Sequence, residues 1–286
     1  MSALAMRHLL SDDGDAALAA LVRAGTPLLA FDFDGTLAPI VERPDDARLA
    51  DAVAARLARL SLRWPVAIVT GRAVADVRAR LGAFTPHYVV GNHGAEDGAD
   101  PAAAAADPAR WTAALQPLRL ALDTQRSLLA AVGVGIEDTG LSIAFHYRQA
   151  PDAGRARAAI RAVLATAMRA APTLRLHTFD GKRVVNVVAA GAPDKAHAVQ
   201  RLVARSGAHG ALFAGDDVND EPVFAAAPEG WVTVRIGSGD RGDDGCAASL
   251  ARWTLDGPHQ MPLLLDRLQA LADAQPAASS PASVRR

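Results

Sequence analysis

The sequence predicts an α/β fold: a parallel sheet covered by helices on both faces, interrupted by a smaller inserted α+β module. Two observations carry this. At both ends of the chain, short continuous apolar runs alternate with amphipathic helical stretches, the pattern of strands buried on both sides. Between them the order changes to helices and paired strands joined by tight polar turns.

The elements follow in order. Leu28–Phe33 is a buried strand, bounded by Thr26-Pro27 before it and Gly35 after it. Leu49–Leu60 carries Leu49, Val53, Leu57 and Leu60 on one helical stripe. "PVAIVTGR" is a second strand ending in a polar loop, Val74–Leu81 a second helix, and "HYVVGNHG" a third strand with a polar end. Past Gly98, "DGADPAAAAADP" reads as a linker or loop. A single helical stretch is predicted from Trp111 to Ala131, with Pro117 near its start. "VGVGIE" and "LSIAFHYR" flank Asp138-Thr139-Gly140 as a hairpin. A helix from Asp152 to Ala170 leads to "TLRLHTF" and "RVVNVVA", a second hairpin turning at Asp180-Gly181. The βα alternation then returns: a helix from Asp194 to about Ser206, the strand "ALFAGDD", a short helix, the strand "WVTVRIG", and a last helix around Met261–Leu271. The expected organisation is a core over 1–97, an inserted α+β cap over 98–190, the rest of the core over 191–273, and a disordered tail over 274–286 that lacks core-forming residues.

Composition narrows the function. At 286 residues, half of them apolar, the chain can bury a substantial core. A formal net charge of −1 gives no electrostatic case for nucleic acid or an anionic membrane. The single cysteine, Cys246, excludes an internal disulfide and a Cys-based zinc cluster, fits a reducing compartment, and reads as a bystander. No apolar run reaches the ~18 residues of a membrane span. Asp12, Asp13 and Asp15 interrupt the only leader-like stretch. A cytoplasmic protein is expected, with a small-molecule substrate and no nucleic acid, membrane or obligate protein partner.

Acidic residues cluster where strands end. Asp32 and Asp34 lie two apart, so they point to one face just past the carboxyl end of the first strand, the ligand-binding edge of an open parallel sheet. Asp216, Asp217, Asp220 and Glu221 follow another apolar strand in "GDDVNDE". If those strands are neighbours, three or more carboxylates crowd one crevice. Two like charges ~4 Å apart repel by about 4 kcal/mol at an effective dielectric of 20, a large fraction of a domain's ~5–15 kcal/mol stability. A cation must offset that, and an all-oxygen set favours Mg²⁺ over zinc. Either cluster alone also reads as a turn or helix cap; two of them after two buried strands do not. Thr70 and the Gly71 amide, at the end of the second strand, can donate hydrogen bonds to a phosphate. Lys195, opening a helix, can neutralise both a phosphoryl oxygen and Asp32.

Taken in order, "DFDGTL", "VTGR", Lys195 and "GDDVNDE" resemble the four motifs of the haloacid-dehalogenase-like (HAD) phosphotransferases, over Phe31 to Glu221. The resemblance implies a Rossmann-like core, with the insert as a lid that excludes water and reads the substrate. It implies Asp32 as the nucleophile that becomes an aspartyl-phosphate, and Asp34 as general acid, then base. It implies Mg²⁺ on the Asp32 carboxylate, the Asp34 backbone carbonyl and Asp216, with Asp217 and Asp220 in support. "VGNHGAE", "IEDTGLSIAFHYR" and the fourth motif resemble, more narrowly, the trehalose-6-phosphate phosphatase family, over Leu28 to Leu255. Candidate substrate contacts are then Gly71, Arg72, Asn92, His93, Glu96, Glu137, His146 and Arg148. Two positions depart from that family's pattern: Asn186, where it usually has Glu, and Asn219, where it usually has Thr. The expected activity is Mg²⁺-dependent hydrolysis of trehalose 6-phosphate to trehalose and phosphate. The alternatives are sucrose, mannosylglycerate, glucosylglycerol or simple hexose phosphates, a phosphomannomutase-type transfer, and a non-catalytic sugar-phosphate sensor.

Overall fold

The computed structural model describes residues 7–41, 43–99, 108–237 and 249–275. Its larger sheet runs in the order β1 (Arg7–His8), β12 (Trp253–Leu255), β11 (Val232–Ile236), β10 (Gly210–Gly215), β2 (Pro27–Phe31), β3 (Val66–Val69), β4 (Tyr88–Gly91) and β5 (Glu96–Asp97). Every neighbouring pair is parallel except β4–β5, which is antiparallel. Why these strands are apolar throughout is clear from β2. Leu29 and Phe31 join the core cluster formed with α1 (Asp12–Arg23), α2 (Asp51–Ser61) and α9 (Met261–Ala274). Leu28 and Ala30 point the other way, into the cluster under α7 (Lys195–Ser206) and α8 (Glu221–Ala226). A strand covered on both faces has no polar side to show. The predicted α/β class is the fold observed.

The insert forms a separate four-stranded antiparallel sheet, ordered β6 (Gly135–Asp138), β7 (Ser142–His146), β9 (Val184–Ala189), β8 (Leu176–Gly181). Ile143, Phe145 and Val187 pack under α5 (Gln116–Ala131) and α6 (Ala153–Ala170). The alternate residues Glu137, Ala144, His146 and Asn186 line a cleft against the core. One face of the cap sheet is therefore greasy and the other polar.

Several elements differ from the reading of the sequence. The three aspartates taken as breaking a leader form the first turn of α1, where acidic groups meet the positive helix end, and Ser11 caps it by accepting from Gly14 N. The helix predicted from Leu49 starts at Asp51, and the one predicted to Leu81 ends at Arg78, giving α3 (Val74–Arg78). The single helix over 111–131 is two, α4 (Pro108–Ala114) and α5. Pro117 sits in the first turn of α5, where its missing N–H leaves no hydrogen bond unmade, so it starts a helix instead of interrupting one. The edge strands β1 and β5, and β12 beside β1, are two or three residues long, too short to show a period. Ala274, read with the tail, is the last residue of α9. Residues 100–107 of the linker, Cys246, and 276–286 of the tail lie outside the described residues. Among those described, no helix is long and apolar enough to cross a membrane.

Candidate active site

Two parallel neighbours, β2 and β10, deliver their acidic ends to the same edge, with Phe31 opposite Ala214. Asp32 N still donates to Ala214 O at 2.9 Å, and then the chain curls as Leu37 and Ala38 donate to Phe33 O. Gly35 sits at φ +76, and a Cβ there would stand 2.0 Å from Asp216 Oδ2. A Cβ on Gly215 would likewise stand 2.3 Å from the carboxyl carbon of Asp220. These two glycines let the acidic loops touch. Asp32, Asp216 and Asp220, all buried, each offer an oxygen within 4.8 Å of the others.

Lys195 lies among them. Asp194 caps α7 by accepting from His197 N, which sets the first helical residue at the sheet edge. Its Nζ is 2.9 Å from Asp32 Oδ1 and 2.8 Å from Asp220 Oδ1, in a side chain only 1% exposed. Burial works against the ammonium, but Asp220 and Asp32 outweigh it and hold its pKa above the ordinary lysine value. Burial pushes the Asp32 carboxyl well up; Lys195 opposes this, and the charges of Asp220 and Asp216 add to it. Burial also raises Asp216 to about 6, against the pull of Lys182. That lysine reaches down from the β8–β9 turn to place Nζ 2.7 Å from Asp216 Oδ2. Reading the sequence missed Lys182. The sequence puts the turn at Asp180-Gly181, but both residues belong to β8 and pair with β9. The chain turns one step later, at Lys182-Arg183, and nothing local says that this turn overhangs Asp216. Asp217 caps the 218–220 turn, and its N–H donates to Asp220 Oδ2 at 3.0 Å, so it helps to aim the carboxylate that holds Lys195.

Asp34 is more open, at 39% side-chain exposure. Arg72 grips it with Nε at 2.6 Å and Nη2 at 2.8 Å, and donates from Nη1 to Asp76 at 2.8 Å. Thr70 is buried and lines the cleft with Gly71; its hydroxyl accepts from Arg72 N.

The cleft encloses about 710 Å³ between core and cap. From the cap come Glu137, paired with His146 at 2.9 Å, and Arg148. Arg148 crosses to the core by donating to Val41 O at 2.5 Å. The "GNHGAE" residues divide. His93 lines the cleft and meets Phe179 of the cap edge-on at 4.8 Å. Burial and the charge of Lys195 drop its pKa to about 3. Asn92 and Glu96 do not line the cleft. They bond each other at 2.8 Å, Glu96 accepts from Val74 N, and the Asn92 carbonyl accepts the cap hydroxyls of Thr139 and Ser142. Asn186 and Asn219 both face the cleft, and the buried Oδ1 of Asn219 has no hydrogen-bond partner among the described residues.

The donor set fits a hard divalent cation. Three buried carboxylates supply oxygen alone, and the two lysines bonded to them, Lys195 and Lys182, leave the set one positive charge short.

A family model described as trehalose-phosphatase matches residues 30–256. The chain is 36% identical over 257 residues to a trehalose-phosphate phosphatase of Mycolicibacterium paratuberculosis, covering 85% of this chain and 62% of that protein. It is 32% identical over 259 residues to one of Mycobacterium bovis, covering 86% and 62% respectively. The chain thus spans less than two thirds of the length of these relatives. In fold it superimposes on the C-terminal domain of the Candida albicans trehalose-6-phosphate phosphatase with a TM-score of 0.70 at 20% identity, over 95% of this chain and 99% of that one.

Proposed function

From the premise that this chain belongs to the trehalose-phosphatase family, we propose that it hydrolyses trehalose 6-phosphate to trehalose and inorganic phosphate through an aspartyl-phosphate on Asp32. The observation that carries the reading is the arrangement at the sheet edge: one buried nucleophilic carboxylate bonded to a buried lysine, with a second, accessible aspartate two residues on. An Asp32 oxygen attacks phosphorus as the P–O bond to the sugar breaks. The departing alkoxide takes a proton from Asp34. Asp34, now a carboxylate, removes a proton from water, which attacks the aspartyl-phosphate, frees phosphate and restores Asp32. Lys195 offsets charge on the phosphoryl oxygens while Asp220 and Asp217 hold it in place. The Thr70 hydroxyl and the Gly71 amide bind the phosphoryl group. Asp32, Asp216 and the Asp34 carbonyl would hold Mg²⁺, which would supply the remaining positive charge that phosphoryl transfer demands.

The cap selects the sugar. Glu137, His146, Arg148, Lys182 and Asn186 line its side of the cleft with donors and acceptors suited to a disaccharide's hydroxyls. The test is phosphate release from trehalose 6-phosphate, glucose 6-phosphate, mannose 6-phosphate, and sucrose, mannosylglycerate and glucosylglycerol phosphates, with and without Mg²⁺. Trehalose 6-phosphate is expected to give the highest kcat/KM, and chelation to abolish turnover. A better monosaccharide substrate overturns the sugar assignment. Release from no sugar phosphate overturns the reading as a whole.

A further inference from the structure

The grip of Arg72 on Asp34 is the first link of a longer chain. Asp76, which holds Arg72 Nη1, also accepts from Arg80 through Nε at 2.9 Å and Nη2 at 2.5 Å. Arg80 is anchored in turn on Asp45, by the carbonyl at 2.7 Å and the carboxylate at 3.1 Å. Charges alternate along the row Asp34, Arg72, Asp76, Arg80, Asp45. Arg80 is buried and Arg72 largely so, with side chains 6% and 11% exposed. Asp76 and Arg80 are four residues apart, from the first turn of α3 to just past its end, so one short helix fixes the spacing.

We propose that Asp76 and Arg80 are positioning residues for the acid–base aspartate, Asp34. They pin the far side of the Arg72 guanidinium, and so fix the direction in which Asp34 meets the leaving oxygen. A guanidinium forks a carboxylate in one plane, and a long arginine held at one end only can swing that plane. Misplacing a reacting group by about 1 Å costs on the order of 10²-fold in rate. A charge row that serves only to hold α3 would leave the two catalytic steps equally affected by its loss. This inference rests on the phosphatase reading above, with Asp34 as acid and then base.

The experiment uses the full chain with Mg²⁺ and two substrates. The first is the alkyl phosphate that wild type turns over best. The second is 4-nitrophenyl phosphate, whose nitrophenolate departs without needing a proton. In Asp76→Ala and in Arg80→Gln, kcat for the alkyl phosphate is expected to fall at least tenfold, with KM within about threefold. The pre-steady-state nitrophenolate burst is expected to keep its rate within about threefold. Its amplitude counts intact sites, which separates mispositioning from failure to fold. Steady-state turnover of the aryl phosphate is expected to fall, because water attack still needs Asp34. Burst rate and alkyl kcat falling together would overturn the proposal, as would an unchanged alkyl kcat in both variants. Wild type that bursts yet hydrolyses no alkyl phosphate overturns it too, since Asp34 then has no alkoxide to protonate. Wild type that prefers another sugar phosphate overturns only the trehalose assignment, and the comparison is then made on that sugar phosphate.

Discussion

Replacing Lys195 by Met keeps a long apolar stem and removes the charge that separates Asp32 from Asp220. At 2.9 and 2.8 Å, each contact is worth about 6 kcal/mol of Coulomb attraction at an effective dielectric of 20. The net is smaller, because burying the ammonium costs several kcal/mol. Breaking a buried pair by removing one partner typically costs 3–5 kcal/mol, and here two carboxylates lose their counter-ion. Protonation of Asp32, already pushed upward by burial, relieves part of the loss. The expected result is a destabilisation of about 3 kcal/mol in urea at pH 7 without divalent ions. Asp220→Asn removes one of the stranded charges. Lys195→Met/Asp220→Asn is therefore expected to be more stable than the two single losses predict, by at least about 1 kcal/mol. A Lys195→Met loss under 1 kcal/mol, or strict additivity in the cycle, would show that the lysine does not balance these acids.

Gly35→Ala forces a Cβ into the Asp216 carboxylate at a positive φ, and is expected to cost about 2 kcal/mol together with phosphatase activity; denaturation midpoints and phosphate release read both. His93 has a folded-state pKa of about 3, below its unfolded value near 6.5. Its stabilisation is thus complete above about pH 6.5 and is lost at about 1.4 kcal/mol per unit as pH falls. The stability gap between wild type and His93→Asn is expected to shrink by about 2 kcal/mol from pH 6.5 to 5, and a gap independent of pH refutes buried neutrality. Glu137→Ala and Arg148→Ala are expected to lower kcat/KM for trehalose 6-phosphate more than tenfold, about 1.4 kcal/mol, while scarcely affecting an aryl phosphate. Equal losses on both substrates assign these residues to the fold.

What the sequence made legible was local. A strand buried on both faces must be apolar, so β2, β3, β4 and β10 stood out, and acids at the ends of β2 and β10 were conspicuous for the same reason. That the two strands are neighbours is not local, and only the structure supplies it. The same limit hid Lys182, carried to Asp216 by a hairpin 34 residues earlier, and the Arg72–Asp34 fork across 38 residues. "GNHGAE" marked an important segment, but a motif does not say which way a side chain turns. His93 faces the cleft, whereas Asn92 and Glu96 tie the segment to the cap turn and to α3. Both Asn92 and His93 adopt positive φ, a conformation that Asn and His tolerate better than most. The break between α4 and α5 was missed because a proline near the start of a helical stretch is compatible with one helix, whereas here it lies in the first turn of a second.

The proposed mechanism turns on Asp32 carrying the phosphoryl group. Acid quench of the chain mixed with Mg²⁺ and trehalose 6-phosphate, followed by peptide mass spectrometry, tests it directly. A phosphorylated Asp32 is expected in the quenched protein, rising and decaying within the turnover time and absent from Asp32→Asn. Sustained phosphate release with Asp32 unmodified at every time point would contradict it.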